Sequence, residues 1–219
     1  MNQEGKGQER LTGVSMGIVI SCILLAAVYG YFFDGTILNP LALRGSNGGL
    51  AQAQASEDPV ASARAFLAAS EVFFHPRCVN CHPAGDAPLQ GDQSRTHTMM
   101  VKRGPNGMGK NSVWCSTCHQ NTNLPGAHLP PGGSGWQLPP QDMPMVFEKK
   151  TPGELCRQLK DPAQNGNRTP QEVVEHVRTA SLVLWGWNPG EGRTPVPMPH
   201  DVFVKNMADW AEKGAACPD

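Results

Sequence analysis

The apolar positions fall into three regimes along the chain. From Val14 to Phe33 they run almost unbroken (VSMGIVISCILLAAVYGYFF), and residues 11–33 hold no charged side chain. A run of 20 residues at helical rise matches the hydrocarbon thickness of a bilayer. Tyr29, Tyr31, Phe32 and Phe33 gather at one end, where an aromatic belt would sit. Lys6 and Arg10 precede the run and favour a cytoplasmic N-terminus, with Glu4 and Glu9 opposing them. The pattern predicts a cytoplasmic segment at 1–13 and a transmembrane anchor at 14–33. Three alternatives compete with it. A cleaved signal peptide would use Ala53-Gln54-Ala55, which lies some 20 residues beyond the apolar run. A lipid-attachment box would end at Cys22, but the apolar run continues through it. A buried soluble helix is the third.

The second regime, 34–57, is rich in Gly, Ala, Gln and Asn and reads as a flexible tether. In the third, 58–219, the spacing turns helical. Asp58-Pro59 gives an N-cap followed by Pro at the first helical position. The spacing predicts a helix from about Pro59 to Phe74, with Val60, Ala63, Phe66 and Leu67 on its core face. Thr151-Pro-Gly-Glu154 and Thr169-Pro-Gln-Glu172 both have the capping-box pattern. They open helices at about 152–160 and 170–185. A last helix at about 200–213 sets Phe203, Met207 and Trp210 on one stripe and stops at Gly214. Residues 124–144 are loop, and no stretch alternates as a strand would. The expected fold class is therefore mainly α: one transmembrane helix, then a loop-rich helical domain over 58–219.

Composition sharpens this. Gly and Pro together make 44 of 219 residues (24 and 20), which implies short helices between stiff loops. The formal net charge is −1, so nothing global points to nucleic acid. At 39% hydrophobic residues the core is thin for this length, and large buried cofactors would supply the missing apolar volume.

The chemistry lies in the cysteines. Of seven, four stand in two motifs of one form, Cys78-Val-Asn-Cys81-His82 and Cys115-Ser-Thr-Cys118-His119. C-x-x-C-H is the pattern of c-type haem attachment. Two thiols on one turn reach the two vinyl groups of one porphyrin, and the next residue turns its imidazole to the iron. His82 and His119 are thus the expected proximal ligands, and two covalently bound haem c groups the expected cofactors. A four-cysteine zinc site would not need a histidine after each pair. A thioredoxin-like redox pair would need a βαβ setting that neither motif has. Only 32 residues separate His82 from Cys115, too few for two independent domains, so both haems must share one fold.

The distal ligands are more open. Met145 lies in the Pro-held loop Asp142-Met-Pro-Met-Val-Phe147, with Met143 as its rival. His97 follows His82 by 15 residues and can fold back over the first haem, or bond a propionate instead. His176 sits mid-helix near Trp185, as a ligand or as a satisfied core histidine. Between Asp92 and Asp142 there is no acid, while Arg95, Lys102, Arg103 and Lys110 lie there. They form either a positive face for propionates or an acidic redox partner, or a solvated loop. Cys156 and Cys217 are the expected disulfide, with two free buried thiols as the alternative.

From Val72 to Pro218 the chain resembles a group of proteobacterial two-haem c-type cytochromes. The resemblance rests on Cys-x-x-Cys-His-Pro from Cys78, His97 followed by Val101-Lys-Arg-Gly104 and Gly107-x-Gly109, and the second attachment site. It continues through Trp136-x-Leu-x-Pro, Met145, Leu155-Cys156, Lys160-Asp161-Pro162, Asn165-Gly166, His176, Trp185-Gly-Trp187-x-Pro-Gly190, Arg193 and Gly214-Ala-x-Cys217-Pro218. It covers about two-thirds of the chain. The resemblance implies functional roles for His97, Met145 and His176, and a Cys156–Cys217 pair. Similar chains include electron-accepting subunits beside molybdenum hydroxylases. This sequence departs from them in its long apolar N-terminus and in Met143-Pro-Met145.

The expected function is electron transfer rather than catalysis: a membrane-anchored carrier in the bacterial inner membrane, its haem domain on the periplasmic side. Its expected partners are the membrane and redox proteins of a larger respiratory or photosynthetic complex. The alternatives are a two-haem enzyme of peroxidase or thiosulfate-oxidising type, and a haem-bearing assembly subunit.

Overall fold

The computed structural model describes residues 57–110 and 113–219. The apolar run at 14–33 and nearly all of the tether lie outside the described residues. The first long helix, α1 (Pro59–Phe73), opens where the sequence places it, with the Asp58 carboxylate accepting from the Ala61 amide. A four-residue helix, α2 (Pro76–Val79), carries the first cysteine. Two short antiparallel ribbons follow, β1 (Leu89–Gln90) with β2 (Arg95–Thr96) and β3 (Gly109–Lys110) with β4 (Val113–Trp114). Strands of two residues are too short to leave an alternating signature.

The second half is helical again. α3 (Pro152–Lys160), α4 (Pro162–Asn165), α5 (Pro170–Thr179), α6 (Ser181–Leu184) and α7 (His200–Glu212) are each short. Both capping boxes form, Thr151 with Glu154 and Thr169 with Glu172. The helix expected over 170–185 breaks at Ala180, which is extended (φ −66°, ψ 125°). The Thr179 hydroxyl bonds back to the Glu175 carbonyl at 2.8 Å, a contact that competes with the helical ladder.

The core lies between α1, α5 and α7. Phe66 packs at a tilt against Trp210 with ring centres 5.3 Å apart, and Phe73 meets Phe203 and Phe147 edge-on at 5.3 and 5.4 Å. Val60 and Leu67 were expected on the core face of α1 but are 61% and 50% exposed. Ser62 and Ser70 are buried instead. Ser62 is satisfied there: its hydroxyl donates to the Trp210 carbonyl at 2.8 Å and accepts from the Ala216 amide at 2.9 Å. Cys156 of α3 is joined to Cys217 by a disulfide, which ties the C-terminal segment to the helical core.

The expected fold class is corrected here. The described residues are mainly helical with two small ribbons, and no helix among them is long and apolar enough to cross a membrane. Nor do three or more His, Cys, Asp or Glu side chains converge anywhere among them as a metal-binding group would. The mainly helical, loop-rich domain is thus present among the described residues, but a membrane-spanning helix and a metal-binding group are not seen among them.

Candidate functional site

Two cavities open in the domain, of about 500 and about 600 Å3. Each falls in the range of small-molecule and cofactor sites, about 300–1,000 Å3. Each is walled by one of the two C-x-x-C-H motifs. The first is lined by Cys78, Cys81 and His82, with Met143, Met145 and His176. The second is lined by Cys115, Cys118 and His119, with His97.

The two motif histidines are held in the same way. His82 Nδ1 lies 2.7 Å from the Met145 carbonyl oxygen, and His119 Nδ1 lies 2.7 Å from the Pro131 carbonyl oxygen. A carbonyl only accepts, so in each ring Nδ1 carries the proton and Nε2 keeps its lone pair. That is the tautomer a metal-ligating histidine needs, with the second nitrogen fixed from behind. Each ring also lies parallel to an aromatic plate. Phe147 stacks on His82 at 3.8 Å and Trp136 on His119 at 4.7 Å, both at 8°. Burial pushes the His82 pKa down to about 4, opposed by the Met145 carbonyl bond and assisted by Arg103 and His176. It lowers that of His119 as well.

The four motif thiols are free, while Cys156 and Cys217 are paired. Burial pushes the Cys78 thiol up to about 12 and the Cys81 thiol up to about 11. These thiols are neutral, unlike the lowered thiolates of thioredoxin-type pairs. A tetrahedral zinc site would need four ligands drawn together, and no such convergence exists among the described residues.

The remaining candidates separate between the cavities. His97 does not stand over the first motif but faces His119, its ring centre 6.2 Å away. Its Nδ1 is 2.5 Å from the Thr98 carbonyl, so its Nε2 also keeps the lone pair. The ribbon β1–β2 explains the placement: it folds residues 89–96 back and delivers His97 to the second cavity. Met145 lines the first cavity, but its own carbonyl holds His82 from behind. Its backbone thus lies on the Nδ1 side of that ring, away from the Nε2 lone pair. His176, on α5, is exposed at the rim of the first cavity, and the surrounding protein lowers its pKa chiefly by desolvation. Of the other histidines, His75 and His200 are committed elsewhere, His75 Nδ1 accepting from the Arg77 amide and His200 Nε2 meeting the Val177 carbonyl at 3.0 Å, whereas His128 lines the second cavity.

Between the cavities stands a wall that the motifs alone did not reveal. Arg77, Cys81, Trp136, Leu138 and Trp185 line both. Trp136 and Trp185 meet edge-on at 5.0 Å, and the Arg77 guanidinium sits 5.9 Å from the Trp185 ring centre. Arg77 pairs with Asp92, yet its Nε is buried without a hydrogen-bond partner. An orphaned guanidinium donor at the edge of two cavities fits an anionic group carried by a ligand, such as a propionate. Of the four cations read as either a positive face or a solvated loop, Arg95, Lys102 and Lys110 are exposed, whereas Arg103 is 2% exposed and belongs to the interior.

Comparison with protein-family models, with curated proteins and with solved structures finds no match to this chain.

Proposed function

We propose that the chain is an electron-transfer protein that carries two covalently attached haem groups, one in each cavity. One observation carries the reading. Each cavity is walled by a C-x-x-C-H motif whose histidine donates Nδ1–H to a fixed carbonyl and so keeps its Nε2 lone pair. The cofactor supplies one-electron chemistry at iron. The chain supplies thiols for attachment, oriented imidazoles and apolar walls. In the second cavity the facing pair is His119 and His97. In the first it is His82, with His176 favoured over Met145, whose carbonyl stands behind His82, and with Met143 as a further candidate lining the same cavity.

The disulfide between Cys156 and Cys217 suits an oxidising compartment. Haem attachment to thiols also takes place outside the cytoplasm, so the domain works on the extracytoplasmic side. Its partners are other redox proteins, and the resemblance to proteobacterial two-haem cytochromes points the same way.

Intact-mass measurement on the denatured protein tests the reading. The expected mass is that of the polypeptide plus two haem groups, and a bare polypeptide mass would overturn it. Carbon monoxide added to the reduced protein separates the carrier from a two-haem enzyme. Two six-coordinate haems bind it slowly or not at all, whereas rapid stoichiometric binding indicates an open catalytic iron.

A further inference from the structure

Arg103 lies between the two motifs in sequence and inside the domain in space. Its guanidinium forms no ion pair among the described residues. A buried cation without a carboxylate is costly unless other dipoles solvate it. Here four backbone carbonyls do so. Nη1 donates to Pro139 at 2.9 Å and to Pro144 at 3.2 Å, and Nη2 to Gly85 at 3.1 Å and to Pro83 at 3.5 Å. The Arg103 amide donates to the Asp86 carbonyl at 2.7 Å, and its own carbonyl accepts from Gly109 at 2.9 Å.

The identities of the four acceptors matter. Pro83 directly follows His82, and Gly85 lies two residues further on. Pro144 directly precedes Met145, whose carbonyl holds His82 Nδ1 at 2.7 Å. One side chain therefore grips both pieces of chain that meet in the His82–Met145 bond. Only a planar fork with five donors reaches four carbonyls at once; an ammonium could not hold them in this geometry.

We propose that Arg103 is a positioning residue for the first site. It clamps the Met145 carbonyl against His82 and leaves a positive charge beside that site which no carboxylate contacts, Asp86 acting on it only from beyond ion-pair distance. The role rests on the two-haem reading above. A fixed positive charge in a low-dielectric interior favours the less positive, reduced iron, so Arg103 raises the potential of the first haem relative to the second. The second site, whose His119 is held by Pro131, is outside the clamp.

Potentiometric titration of the full chain with both haems bound tests this, using Arg103→Met and Arg103→Lys. In Arg103→Met the first midpoint is expected to fall by an amount equal to about tenfold in the reduction equilibrium, about 59 mV for one electron. The second midpoint stays near its original value. Arg103→Lys keeps the charge, so it recovers most of the potential, yet it loosens the His82 Nδ1 proton. That loosening is read as faster exchange of the ring N–H in nitrogen-labelled histidine spectra. Equal shifts at both haems, or none at either, overturn the proposal. If Arg103→Met does not fold, the lysine variant decides: an unchanged His82 N–H exchange rate rules out the clamp. A chain that proves to carry no haem defeats the electron-transfer reading alone. The His82 proton in the same two variants then still decides the positioning role.

Discussion

His82 and His119 share one holding device, a carbonyl 2.7 Å from Nδ1 and a parallel aromatic ring, but little else about their surroundings agrees. The first cavity is set into the helical core, with Val72 and Phe73 of α1, Val173 and Val177 of α5 and Phe203 of α7 among its walls. The second is built from ribbons, turns and the Pro-rich segment, and Cys118 and Trp114 at its wall are exposed. The identical part is what haem attachment at each motif would require. The rest is free to vary, and it decides what each site contributes to stability and how far it is open to partners.

The comparison can be broken most severely by removing attachment. Cys78→Ser with Cys81→Ser is expected to leave a cavity of about 500 Å3 within the core, and soluble, helical protein is lost. Cys115→Ser with Cys118→Ser is expected to give a folded protein with one haem per chain. Haem content per polypeptide and the far-ultraviolet circular dichroism signal check both. Equal damage from the two double variants would erase the distinction between a core site and a loop site.

Reducing the disulfide should act on the helical side alone. Cys156 and Cys217 are 61 residues apart, and opening that loop costs about 4 kcal/mol on chain-entropy grounds. The urea midpoint of the Cys156→Ser, Cys217→Ser protein measures it. The spectrum of the second haem is expected to persist to higher urea than that of the first.

Thr169→Ala removes the cap of α5, the helix that carries His176, at about 1 kcal/mol. The expected result is a small drop in the unfolding midpoint and a larger change in the first haem's spectrum than in the second's. The smallest effect concerns acid. Asp92 accepts from the Thr194 hydroxyl at 2.7 Å and from its amide at 3.2 Å, which, with Arg77 nearby, holds its carboxyl below the usual range. A carboxyl with a lowered folded pKa stabilises above its unfolded value, about 3.9, and that stability fades as pH falls through the lowered value. Hydrogen exchange at the Thr194 amide is expected to quicken in that acid window, close to the second cavity's Arg193 and Gly192. Asp92→Asn should abolish the pH dependence.

What the sequence made legible was local. Thr-Pro-x-Glu placed the starts of α3 and α5, since the cap and its reciprocal carboxylate lie within one turn. Asp58-Pro59 did the same for α1. The C-x-x-C-H motifs marked both cavities, since each motif lines one of them. The transmembrane helix expected at 14–33 lies outside the described residues, and none occurs among them. The rest depended on tertiary structure. His97 went to the second cavity because a two-residue ribbon turned the chain, and so short a ribbon leaves no pattern. The break at Ala180 has no Gly or Pro to announce it. Met145 was singled out for its sulfur, whereas its backbone oxygen is what meets His82, and any residue carries such an oxygen. Arg103 looked like one surface cation among four, because burial by carbonyls leaves no acidic partner to read.

The partition between the cavities is shared: Arg77, Cys81, Trp136, Leu138 and Trp185 wall both at once. Two irons on either side of it would sense each other's charge through a medium that screens weakly. Filling one with an electron would make filling the other harder, so the pair would titrate anticooperatively, over a broader span of potential than its ligands alone would set. The domain would then release its two electrons singly, at separate potentials.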